Sequence, residues 1–145
     1  MKITICNSVH FWKEAMAAQK RLETIGHEAL THPMEIEFEG KMLPVIEYYR
    51  MRKAQWNAKI EDLKEWAMRE HFTKIKASDA ILVLNYDKEG KKNYIGGNTF
   101  LEMGLAFALD KKIFMLNDVS EDIPYAEEIK GMRPVIVKED FSNVK

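Results

Sequence analysis

Apolar positions along the chain fall into two alternating rhythms. Lys2–Cys6 (KITIC), Ser78–Asn85 (SDAILVLN) and Lys112–Asn117 (KIFMLN) are short, nearly continuous apolar runs. Runs without a polar face are expected of strands covered on both sides, as in a parallel sheet. His27–His32 (HEALTH), ended by Pro33, and Pro134–Lys138 (PVIVK) read as two further strands. Between the strands the period lengthens to that of a helix. Phe11, Ala15, Ala18, Leu22 and Ile25 recur at helical spacing, after the helix-start residues Asn7 and Ser8 and before a stop at Gly26. A longer helical pattern runs from Val45 to about Lys76, with Trp56, Ile60, Leu63 and Ala67 on one face and Met68, Phe72 and Ile75 on a neighbouring one. A single helix of that length is above average, so a break is expected near Lys53–Asn57. Thr99–Leu109 and a short segment ending at Gly131 complete the helices. Pro33–Pro44 reads as a loop or ragged extension, and the stretch from Tyr86 to Gly97 as a polar loop.

Strands alternating with helices imply right-handed crossovers and a parallel sheet with helices on both faces. The expected fold is therefore α/β, a Rossmann-like or flavodoxin-like three-layer sandwich. Its five-stranded parallel sheet would run in the order 2-1-3-4-5, within one domain spanning residues 1–145. In such sheets ligands bind beyond the carboxyl ends of the strands, near the switch in strand order. Those ends carry Asn7–Ser8, Asn85–Asp87 and Asn117–Asp118, and the turn from Gly96 to Glu102 lies on the same edge.

Composition narrows the partners. The 145 residues are 46% hydrophobic and 31% charged, ordinary for a globular chain, and the net charge is −1. A near-neutral chain is not expected to bind nucleic acid or an anionic membrane, which call for a basic excess. No apolar run approaches the ~20 residues of a membrane helix. KITIC is too short for a signal-peptide core. The one cysteine, Cys6, allows no intrachain disulfide, so a reducing, cytoplasmic setting and a buried, inert thiol are expected. His10, His27, His32 and His71 are dispersed without zinc-like pairing, and no metal is expected. Neither a Walker A nor a G-x-G-x-x-G fingerprint occurs, so no ATP, nicotinamide or other cofactor is implied. Arg50, Arg52 and Lys53 form a small basic cluster that reads as a solvated helix face, with contact to a phosphate as the alternative.

The candidate chemistry lies in Asn93–Leu109 (NYIGGNTFLEMGLAFAL). Two readings of its glutamate stand side by side. Thr99-x-x-Glu102 has the spacing of a capping box, which would satisfy N–H groups at the start of a helix. Alternatively, Gly96 and Gly97 let the backbone approach a ligand, N–H groups of Gly96, Gly97 and Asn98 meet a phosphate or a sugar hydroxyl, and Glu102 does chemistry. A carboxylate near the positive end of a helix is expected to stay ionised, suited to attack on an anomeric carbon. A second acid would then protonate the leaving group, and Asp87 is the candidate by topology.

Ser78–Leu116, with SDAILVLN, the Gly-Gly turn and Glu102-x-Gly104-x-Ala106 ahead of DKKIFML, resembles the nucleoside 2-deoxyribosyltransferase family, including its deoxynucleotide N-hydrolase-like members. The resemblance implies a Rossmann-like fold and a nucleophilic Glu102 that attacks the deoxyribose anomeric carbon and expels the base. It further implies an assisting role for Asp87, a pocket lined by the first loop from Asn7 through Ser8 and His10 to Phe11, and a homodimer or higher oligomer. Asn117, at the next strand end, joins the expected substrate-binding set. Six residues before the glutamate, where transferases carry an aspartate and the hydrolases a serine, this chain has Gly96. The expected function is thus an N-glycosidic-bond enzyme acting on a nucleoside or nucleoside 5′-monophosphate, by base exchange or hydrolysis. A non-catalytic nucleotide-binding or sensing module on the same fold is the alternative. Tyr48, Tyr49, Trp56, Trp66 and Met68 in the long helical segment supply an independent reason to expect a dimer, since one helix cannot turn all of them to its own sheet.

Overall fold

A computed structural model describes residues 1–145. Five parallel strands, β1 (Lys2–Cys6), β2 (Glu28–Leu30), β5 (Ala80–Val83), β6 (Lys112–Met115) and β7 (Val135–Ile136), form one sheet in the order β2-β1-β5-β6-β7. Among the strands of this sheet that is the expected 2-1-3-4-5. Ile3 pairs with Ala80 and Cys6 with Val83, while Ala80 pairs with Lys112, so β1 and β5 lie side by side at the centre. The unbroken apolar runs are explained by cover on both faces. On one face α1 (Trp12–Thr24) sets Ala15, Ala18 and Leu22 against Ile3, Ile5 and Leu82, and the C-terminal Phe141 and Val144 join them. On the other, α3 (Ala58–Lys76), α4 (Gly97–Ala108) and α5 (Ala126–Gly131) contribute Ile75, Met103, Ala106 and Ile129 against Ile81, Val83 and Met115.

The long helical pattern is broken where expected. α2 spans Val45–Ala54, and α3 starts after Asn57, whose side chain caps it by accepting from the Ile60 N–H at 3.1 Å. Pro33–Pro44, by contrast, is not a loop. It forms a two-stranded antiparallel hairpin, β3 (Glu35–Phe38) and β4 (Lys41–Pro44), joined by Glu39 and Gly40. Both turn residues have positive φ, 50° and 77°, as the tightest hairpin turn requires. Ile36 on the hairpin and Val45 and Tyr48 on α2 form a small separate core with Val9, Trp12 and Leu63 beside it. The hairpin and α2 thereby stand over the carboxyl ends of β1 and β5. No helix is long and apolar enough to cross a membrane.

Candidate active site

A cleft opens where β1 and β5 end and the chain leaves in opposite directions, the switch point of the sheet. Its outer chamber, about 240 Å³, is floored by Asn7 and Ser8 after β1 and by Gly96–Thr99 at the start of α4. An inner chamber of about 60 Å³ runs on past Asn7, Lys64 and Asn98 to Glu102.

Glu102 is 3% exposed, and its surroundings overturn both the capping box and the ionised carboxylate. α4 begins at Gly97, two residues before Thr99, with Gly96 at the cap position and no side-chain capping bond. Glu102 therefore sits in the second turn, and its bond runs not to the backbone but to Asn98, whose Nδ2 donates to Glu102 Oε1 at 2.7 Å. Asn98 Oδ1 in turn accepts from Lys64 Nζ on α3 at 2.9 Å. Glu102 Oε2 has no partner. Burial pushes the carboxyl up to about 8, against the bonds from Cys6 and Asn98 and the charge of Lys64, which favour the anion. The helix dipole does not offset the loss of water. Burial and the Arg52 guanidinium likewise bring Lys64 down to about 8. At neutral pH the unliganded pair is largely a neutral acid beside an ammonium.

Behind the carboxyl, Cys6 on β1 and His71 on α3 close the pocket. His71 Nε2 lies 3.8 Å from Glu102 Oε1 and 3.8 Å from Cys6 Sγ. Burial, with His32 and Lys74 nearby, lowers His71 to about 3, so the imidazole is neutral and the contact with Glu102 is not an ion pair. Burial and the neighbouring Glu102 raise the Cys6 thiol well above its ordinary range, keeping it protonated and a poor nucleophile, as expected. Donor atoms of Cys6, His71 and Glu102 lie within 4.8 Å of one another, the grouping in the chain with the spacing to grip a cation.

The residues expected from sequence divide. Asn7, Ser8, Gly96, Gly97 and Asn98 line the outer chamber, and Glu102 closes the inner one. A Cβ at Gly96 would meet Tyr94 Oη at 2.9 Å, so a larger residue there would have to displace the Tyr94 ring. His10 does not reach the cleft; it sits exposed on a short 3₁₀ turn, edge-on to Phe11. Asp87 is also exposed and outside the lining. Its Oδ1 accepts from the Asn93 N–H at 2.8 Å and closes the loop between β5 and α4. Asn117 clips β6 to β5, with its N–H donating to Asn85 Oδ1 at 2.9 Å and its Nδ2 to the Asn85 carbonyl at 3.2 Å. It too lies off the cleft.

Four cations, Arg52, Lys53, Lys64 and Lys88, line the outer chamber, and of these Lys64 and Lys88 were not expected there. The solvated-face reading holds only for Arg50, which pairs with Glu47. Tyr49, Arg52 and Lys53 follow the i, i+3, i+4 spacing of one helical face, a signal present in the sequence. Lys88 enters through a tight turn in which it exchanges backbone bonds with Lys91 across Glu89 and Gly90, both at positive φ.

Neither a protein-family model nor a curated sequence matches the chain. The fold is similar to the solved structure of a 2-deoxyribosyltransferase from the psychrotolerant bacterium Bacillus psychrosaccharolyticus, described as a biocatalyst for the synthesis of antiviral and antitumoral nucleosides. The TM-score is 0.51 with 14% identity, over 94% of this chain and 98% of that one. At that identity the likeness establishes the Rossmann-like fold.

Proposed function

We propose that the chain cleaves the N-glycosidic bond of a nucleoside or nucleotide, with Glu102 as the nucleophile. The observation that carries this reading is a glutamate lining the closed end of a switch-point cleft, buried, with one carboxylate oxygen left without a hydrogen-bond partner. A nucleophile needs a free lone pair and a dry setting, and Glu102 Oε2 has both. The similar 2-deoxyribosyltransferase adds support at the level of fold.

In the proposed reaction Glu102 first gives up its proton to solvent; Oε2 of the resulting carboxylate bonds to the anomeric carbon, and the bond from that carbon to the base nitrogen breaks, its electron pair leaving with the base. With Asp87 outside the cleft, the proton for the base comes from the Lys64 ammonium, whose acidity is already near neutral. Water or a second base then attacks the anomeric carbon, Lys64 Nζ takes the proton released, and Glu102 departs as a carboxylate. Developing positive charge on the sugar favours the anion that burial disfavours. Released base from a panel of nucleosides and 5′-monophosphates tests the activity. A 2′-fluoro nucleoside, which slows breakdown of the intermediate, tests the nucleophile by adding a sugar mass to the peptide holding Glu102. Base release without that adduct argues against covalent attack. Tight ligand binding with neither makes the chain a nucleotide-binding module, the reading that the absence of a second carboxyl in the cleft favours.

A further inference from the structure

The outer chamber carries a charge that chemistry at Glu102 does not call for. Arg52, Lys53, Lys64 and Lys88 line it, and no aspartate or glutamate does. Lys88 is the telling one. It is 7% exposed, and its Nζ donates to Ser8 Oγ at 3.1 Å and to Tyr49 Oη at 3.0 Å. The ammonium stands 4.8 Å from the ring centre of Tyr94 and 5.3 Å from that of Tyr49. Neutral oxygens and ring faces orient an ammonium without cancelling its charge, and a buried charge is ordinarily matched by an opposite one.

A second, independent feature faces the same space. The twelve-residue α4 starts without a side-chain cap, and its first backbone bond runs from the Phe100 N–H to the Gly96 carbonyl. The N–H groups of Gly97, Asn98 and Thr99 precede that bond and carry the positive end of the helix dipole. A Cβ on Gly97 would meet nothing within 4 Å, and Gly97, Asn98 and Thr99 all line the chamber.

We infer that the outer chamber is built for a phosphate dianion, and that the substrate is a nucleoside 5′-monophosphate rather than a free nucleoside. Lys88 is the fixed counter-ion beneath the phosphate, the α4 N–H groups donate to its oxygens, and Arg52 and Lys53 close over it from α2. The inner chamber then receives the sugar, with the anomeric carbon toward Glu102. The identity of the sugar-bearing part rests on the proposed function; the phosphate site rests on the chamber.

Calorimetry on the Glu102→Gln protein, where turnover is not expected, tests the phosphate site alone. The probes are the four common 2′-deoxynucleosides, their 5′-monophosphates and inorganic phosphate. At least one monophosphate is expected to bind on the order of 100-fold more tightly than its nucleoside, the scale of two charge-assisted bonds. Inorganic phosphate is expected to bind weakly and to compete. Lys88→Met should reduce the preference to below roughly 10-fold with one such bond removed. Should Lys88→Met fail to fold, Arg52→Leu on the half-buried face of α2 should cut the preference in the same direction. Equal binding of nucleoside and monophosphate, or an undiminished preference in both folded variants, overturns the phosphate site. Inorganic phosphate binding as tightly as every monophosphate overturns the nucleotide assignment. Selective monophosphate binding with no base release by the wild type defeats the glycosidic reading instead and leaves the phosphate site standing.

Discussion

Asn98 and Glu102, one turn apart on α4, are joined by a 2.7 Å hydrogen bond in which the amide donates to the carboxyl, while the other end of the same amide holds the Lys64 ammonium at 2.9 Å. The amide is thus a neutral spacer between a cation and the group that must become an anion. It keeps the two from touching and passes part of the field of one to the other. Hydrogen bonds to charged groups contribute ~1.5–3 kcal/mol, so removing this donor should raise the pH at which Glu102 ionises by roughly one to two units. The expected result for Asn98→Ala is an acid limb of kcat/KM displaced upward from about 8, the level to which burial brings the wild-type carboxyl. Asn98→Asp should displace it in the same direction by placing a like charge one turn away. Superimposable pH profiles for the wild type and both variants would refute the coupling.

Glu102→Gln keeps the volume of the side chain and its ability to accept from Asn98, but removes the nucleophile. Base release should fall roughly 10³-fold or more, the scale of losing one member of a catalytic set. Stability should move the other way. The folded state holds the Glu102 proton up to about 8, whereas the unfolded chain gives it up near the ordinary 4.5. The contribution of the buried neutral acid is therefore fully present below 4.5 and lost as pH rises through 8. The groups facing it are Cys6 on β1, Lys64 and His71 on α3 and Asn98 on its own helix. Melting curves of the wild type and the Gln variant should coincide at low pH and separate with increasing pH, the variant being the more stable. Parallel curves from acid to alkaline pH would show that Glu102 is not held protonated.

His71 sets the opposite slope. Its folded-state value of about 3 lies below the ordinary 6.5, so its contribution is present above 6.5 and lost as pH falls toward 3. Between 4.5 and 6.5 the two groups offset one another, and a stability plateau is expected there. His71→Gln removes the acid limb, so acid unfolding followed by circular dichroism should shift to lower pH in that variant, even if the missing ring lowers its overall stability. An acid midpoint unchanged from the wild type would remove His71 from the account.

The sheet was legible because its signal is local. Ala80–Val83 and Ile113–Met115 are apolar at every position, and burial on both faces is the one setting that tolerates this. The hairpin at Glu35–Pro44 carried its own signal, alternation through Ile36 and Phe38 followed by a Glu-Gly pair, but Pro33 and Pro44 made the stretch look like a loop. The same Glu-Gly pair recurs at Glu89–Gly90, where it turns Lys88 inward. In the site, Glu102 could be found from the strand–turn–helix context. Its protonation state could not, because that depends on Cys6, Lys64 and His71, brought from two other elements. Asp87 and Asn117 misled for a related reason. Topology puts them on the correct rim, but bonds to Asn93 and Asn85 give each a structural use there.

A homodimer is predicted more strongly by α4 than by the long helical segment between Val45 and Lys76. Tyr48 is buried against the hairpin, and Tyr49 and Met68 turn toward the cleft, which leaves Trp56 and Trp66 exposed from the original set. α4 supplies the stronger reason. From Gly97 to Ala108 its one charged residue is Glu102, and that side chain is buried. A helix apolar all round is expected to be covered all round, yet Leu101 is 52% exposed and Phe107 54%; Trp66 on the neighbouring α3 is 49% exposed. Exposed apolar surface of this kind, with aromatic residues, fits an interface with a second copy of the chain better than contact with water. Light scattering at micromolar concentration should report about twice the 16.9 kDa chain mass. Leu101→Glu, pointing a charge outward from α4, should yield folded monomers, since the substituted side chain is already half in solvent. A wild-type protein that stays monomeric across that range would refute the interface, and a Leu101→Glu protein that remains dimeric would move it off α4.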